Sequence, residues 1–83
     1  MSRKQKLLRQ ILNSQRNVSF NDMVKLVEAF GFHLSRVNGS HHIYSHPMLV
    51  EVVNLQNLKG KAKPYQVRQF LSLVETYNLT MED

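Results

Sequence analysis

The apolar positions of this chain repeat with two different periods. From Arg3 to Leu12, Leu7, Leu8, Ile11 and Leu12 fall on one helical side, with Arg3, Lys4, Lys6 and Arg9 around the rest. "NSQRNVS" then breaks the pattern and reads as a connector. Ser19 is a helix-capping residue, and Asp22 sits in the first turn, where a carboxylate complements the positive helix end. Phe20, Met23, Val24, Val27 and Phe30 follow at helical spacing, and Gly31 stands where a left-handed C-terminal residue is wanted.

From Phe32 the period becomes two. Strict alternation puts Phe32, Leu34 and Arg36 on one side of a strand, and His33, Ser35 and Val37 on the other. Asn38-Gly39 predicts a two-residue type I′ turn, with Ser40 to Ser45 as the returning strand. His46-Pro47-Met48 turns the chain again, and the β-branched run Leu49 to Leu55 predicts a third strand. Gln56 to Lys63 reads as a basic loop around Gly60. Pro64 opens a last helix with Val67, Phe70, Leu71 and Val74 on its apolar stripe, ending near Tyr77. "NLTMED" follows as a short, partly acidic tail without structure of its own. The expected order is α-α-β-β-β-α. This is an α+β domain in which a three-stranded antiparallel sheet has one face covered by helices and the other open.

Composition narrows the functional classes. At 83 residues the chain is one domain with a modest core. It has no cysteine, which excludes disulfides and thiolate zinc sites. No apolar run approaches the roughly 20 residues of a membrane span, and the basic N-terminus lacks the apolar stretch of a signal peptide. A cytoplasmic protein is the expectation. The formal net charge of +5 favours a polyanionic ligand or an acidic protein partner.

The chemistry-bearing residues cluster in two places. Three of the four histidines lie in "VNGSHHIYSHP". Imidazole can both take and give a proton near neutral pH, as general acid–base catalysis requires. Strand alternation divides them: His41 goes with Ile43, and His42 with Tyr44 and His46. If Ile43 faces the helices, His42, Tyr44 and His46 form the open surface; if Tyr44 does, the assignment reverses. Adjacent strand residues diverge and no thiolate is near, so no metal site is expected. The second cluster is Lys59, Lys61 and Lys63, just ahead of a helix N-terminus, with Arg68 one turn into that helix and Arg36 before the hairpin turn. Lysines and free backbone N–H groups there suit phosphate.

The stretch "GFHLSRVNGSHHIYSHP", following the Phe20–Phe30 helix, resembles the signature of the HicA toxin family: an amphipathic helix ending in glycine and an aromatic, a strand, then Gly-Ser-His opening the next strand. The resemblance covers roughly residues 20 to 79. It implies a core from about 19 to 79 within a single domain of residues 1–83, with residues 1–16 as an additional N-terminal helix. It also implies a fold like that of double-stranded-RNA-binding domains, where a similarly placed lysine cluster meets the RNA backbone. By carry-over the chain is a ribonuclease toxin that cleaves mRNA without a cofactor and is restrained by an acidic HicB-like antitoxin. His41 is the catalytic candidate and His42 the runner-up. Gly39 and Ser40 shape the site, and Arg36, Lys59, Lys61, Lys63 and Arg68 hold the RNA. Many members carry a Pro and a His after the third strand and a Gly-Thr start to the last helix. This chain has "NLQNLKGKAKPYQVRQF" there, similar to a subgroup with a "KAKPYQV" helix start. The competing expectation is a non-catalytic RNA-binding or protein-interaction module on the same fold.

Overall fold

A computed structural model describes residues 2–81; Met1 and the acidic end of the tail, Glu82 and Asp83, lie outside the described residues. The elements are α1 (Arg3–Asn13), α2 (Phe20–Ala29), β1 (His33–Asn38), β2 (His41–Ser45), β3 (Val53–Leu58), β4 (Lys61–Ala62) and α3 (Pro64–Thr76). The fold is α+β, with helices packed on an antiparallel sheet in a layout like that of double-stranded-RNA-binding domains. The sheet order is β1-β2-β3-β4, so a short fourth strand joins the expected three.

The helices begin and end where local chemistry dictates. The Ser19 hydroxyl accepts the Asp22 N–H at 3.0 Å, and the Ser2 hydroxyl accepts the Gln5 N–H at 3.2 Å. At the end of α2, Gly31 takes φ +92°, and the N–H groups of Gly31 and Phe32 return to the carbonyls of Glu28 and Val27. Asn78, at φ +52°, closes α3 in the same way: its N–H and that of Leu79 bond to Glu75 and Val74. The start of the tail therefore belongs to a helix cap, and Leu79 packs against the core.

The core lies between the helices and one sheet face. Phe32, Phe70, Met23, Leu26, Leu55, Val27 and Val67 are its largest fully buried side chains. Phe70 meets both Phe30 and Phe32 edge-on, each at 5.6 Å between ring centroids. α1 lies against α2 and contributes Ile11 to this core, with Leu7 and Leu8 half-buried beside it.

The strands correct the expected boundaries in three places. The β1–β2 turn is centred on Gly39-Ser40, since Asn38 pairs with His41. Only Gly39 has positive φ (+63°), the type II′ pattern that needs glycine at the first central position. A bulge between Leu34 and Arg36 interrupts the alternation: Leu34 pairs with Tyr44, Arg36 with Ile43, and the two side chains take opposite faces. Finally, the third strand runs over Val53–Leu58 rather than Leu49–Leu55, because β2 is too short to offer partners to residues 49–52. Those residues form a loop, and Val50 is 97% exposed despite its strand-like character.

The expected basic loop is itself a hairpin. Lys59 and Gly60 both take positive φ (+52° and +84°), a type I′ turn that pairs Leu58 with Lys61. The Asn57 side-chain carbonyl accepts the Gly60 N–H at 2.8 Å. Beyond β4 the sheet edge is met by the chain entering α2: the Ala62 N–H donates to Val18 and the Phe20 N–H to Gly60, each at 2.9 Å.

Candidate nucleic-acid interface

The orientation of β2 decides which histidine is available. Tyr44 is buried, 2% exposed, and pairs with buried Val53; His42 pairs with buried Leu55. Tyr44 and His42 therefore face the helices. His41 and Ile43 take the open face, opposite Gln56 and Asn54 of β3. Of the two orientations that alternation allows, the chain adopts the one in which no Tyr44 ring is offered to a ligand. The reason is bulk: the Tyr44 ring joins the buried core cluster, where it removes more apolar surface from water than Ile43 would.

The four imidazoles have different surroundings. His41 Nδ1 lies 3.2 Å from the Asn54 side-chain oxygen, and no hydrogen bond among the described residues engages its Nε2. His42 rests on the Phe20 ring at 4.8 Å, and its Nδ1 donates to the Ser40 carbonyl at 3.3 Å. His46 lies beyond the end of β2. Its ring packs edge-on against Phe32 at 5.0 Å, and its Nδ1 accepts the Met48 N–H at 3.0 Å, tying the Pro47 turn. His33 is exposed on the edge strand, across from Ser45.

The cations divide in the same way. Arg36 shares the open face with His41, across from Ile43. Lys61 reaches it through its pairing with Leu58, which lies two residues along β3 from Gln56. With neighbouring strands about 4.8 Å apart and about 3.4 Å per residue along them, the Lys61 backbone stands about 12 Å from that of His41. Lys59 occupies the hairpin turn, and Lys63 caps α3 with its ammonium 5.9 Å from the centre of the Tyr65 ring. Arg68 is not brought to this face; it lines a groove between α1 and α3 with Leu8, Leu12, Leu71 and Val74. Among the described residues, no three His, Asp or Glu side chains come together, and no helix is long and apolar enough to cross a membrane.

Two residues of the site escape sequence reasoning. Asn54 and Gln56 sit among strand-forming apolar residues and reach His41 only through the β2–β3 pairing. The signal was the apolar–polar alternation of "VNLQ", visible once the strand is placed at Val53 rather than Leu49.

A small α+β domain with helices on one sheet face, and an imidazole beside basic residues on the other, defines the class of double-stranded-RNA-binding-like folds carrying a polar, cationic sheet surface. The family model described as "HicA toxin of bacterial toxin-antitoxin" matches residues 20–75, and the chain belongs to that family. It is thus a toxin of a toxin–antitoxin system, and membership implies an antitoxin partner. No curated protein and no solved structure matches it. α1 lies outside the matched residues.

Proposed function

We propose that this toxin is a metal-independent endoribonuclease that cleaves mRNA in the cytoplasm, with His41 as the general acid/base. The observation that carries the reading is His41 itself: its ring is held at Nδ1 by Asn54, while no hydrogen bond among the described residues engages Nε2, on the open face that Arg36 shares. Nε2 takes the proton of a ribose 2′-hydroxyl. The 2′-oxygen bonds to phosphorus as the bond to the 5′-oxygen breaks. The leaving oxygen receives a proton, and the products carry a 2′,3′-cyclic phosphate and a 5′-hydroxyl. His42, on the helix side, buttresses the strand rather than meeting the substrate.

Arg36, Lys59, Lys61 and Lys63 hold the RNA backbone, and the net charge of +5 supports attraction of such a polyanion. Gly39 and Ser40 bring the chain tightly round beside His41. An acidic HicB-like antitoxin masks the same basic face by charge complementarity.

The test is cleavage of a single-stranded mRNA transcript by purified protein in excess chelator, beside His41→Ala. Cyclic-phosphate ends and a loss of at least about a hundredfold in the folded variant are expected. Full activity in His41→Ala removes His41 from the mechanism. Salt-sensitive RNA binding by the wild type without any cleavage instead establishes the non-catalytic module.

A further inference from the structure

We infer that Asn54 is the positioning residue for His41: its carboxamide holds the imidazole as the Nδ1–H tautomer and leaves Nε2 as the proton acceptor on the open face. The inference rests on the ribonuclease reading of His41 and adds a residue to it.

The geometry is specific. Asn54 stands directly across from Ile43 and diagonally from His41, and its side-chain oxygen lies 3.2 Å from Nδ1. A carboxamide oxygen only accepts, so Nδ1 carries the proton of the neutral ring. Free imidazole prefers its proton on the other nitrogen, so a base that works through Nε2 needs a partner to reverse that preference.

Asn54 has no evident structural duty. It is exposed, while its neighbours Val53 and Leu55 supply the core. Asparagine is a poor strand residue, yet it stands in mid-sheet where valine or threonine would be favoured. Such breaches of local preference concentrate at functional sites.

The choice of amide over carboxylate also carries meaning. Aspartate would select the same tautomer but would stabilise imidazolium, so that Nε2 stays protonated to higher pH. A neutral acceptor orients the ring without placing a second charge beside it. The ring's platform is firm as well, because the N–H of Gln56, two residues along β3, is held at 2.8 Å by the buried Gln66 side chain of α3.

Nitrogen-15 NMR of the imidazoles in wild type, Asn54→Ala and Asn54→Asp tests this without RNA. Neutral His41 is expected as Nδ1–H in wild type and in Asn54→Asp, and as mainly Nε2–H in Asn54→Ala, with His42 unchanged in all three. In cleavage assays, Asn54→Ala should lower kcat about tenfold or more with little change in KM. Asn54→Asp should move the acidic limb of the pH–rate profile to higher pH. A wild-type His41 protonated at Nε2 overturns the proposal, as does an Asn54→Ala protein with an unchanged tautomer. A switched tautomer with unaltered kcat overturns it too. A wild type that fails to cleave RNA overturns the ribonuclease reading alone, and the NMR still decides whether Asn54 sets the ring.

Discussion

The Gln66 side-chain carbonyl accepts the backbone N–H of Gln56 at 2.8 Å, and Gln56 stands directly across from His41. β4 ends at Ala62 and the chain turns into α3, so the sheet offers Gln56 no further ladder acceptor. A buried glutamine one turn into the helix takes its place. Gln66→Leu leaves that N–H without a partner and should cost about 1–3 kcal/mol. Urea denaturation checks the magnitude, and hydrogen exchange at the Gln56 amide should quicken more than at Leu55.

Replacing the two adjacent histidines should separate stability from activity. His42→Ala loses the Phe20 contact and is expected to cost about 0.5–1.5 kcal/mol while retaining cleavage. His41→Ala should stay within about 0.5 kcal/mol of wild type because its side chain lies on the open face. Parallel urea titrations and cleavage rates on the two variants give the comparison.

Lys61 tests the proposed contact with the RNA backbone. Lys61→Gln should weaken binding of single-stranded RNA about equally across sequences. It should also reduce the slope of log K against log salt by about 0.7 if one phosphate contact is lost. Arg68→Gln, in the groove between α1 and α3, should leave that slope unchanged. Fluorescence titrations at several salt concentrations measure both.

Tyr44 confers an alkaline limit on stability. Burial raises its pKa, and the nearby Glu28 carboxylate raises it further, from the ordinary value of 10.0. The unfolded chain therefore loses this proton first. The stabilisation is complete below about pH 10 and is lost as pH climbs through the higher folded value. Tyr44→Phe has no such proton, so the stability difference between wild type and variant should be constant at lower pH and shift against wild type above pH 10. Tyr77 is raised as well, first by its hydrogen bond to Glu51, then by desolvation and by the Glu51 charge, so the comparison is best made in a Tyr77→Phe background, where Tyr44 alone carries the effect. Urea midpoints from pH 8 to 11 follow the effect.

Much of the architecture was legible because its causes are local. The Ser19 cap, the Gly31 terminus and the Pro64 start each depend on a few adjacent residues, and the structure has them where the sequence places them. The strands were less legible, because a strand exists only against a partner. "LVEVVNL" has strand character throughout, but only its end finds neighbours in β2. Lys59-Gly60 forms a turn as regular as any in the chain, yet a two-residue β4 leaves almost no periodic signal.

The site divides along the same line. Gly39-Ser40-His41 can be read directly, and alternation alone separates His41 from His42, because successive strand residues point apart. Which of them faces outward depends on where the Tyr44 ring is buried, and that is a matter of helix-on-sheet packing. The bulge near Ser35 turns Arg36 to the open face, and the β2–β3 register sets Asn54 against the imidazole. Sequence by itself determined the element types, the family and the candidate histidines, through short-range propensity and motif. Only the tertiary structure decided face, register and partner, because those follow from which distant residues share one core and one hydrogen-bond ladder.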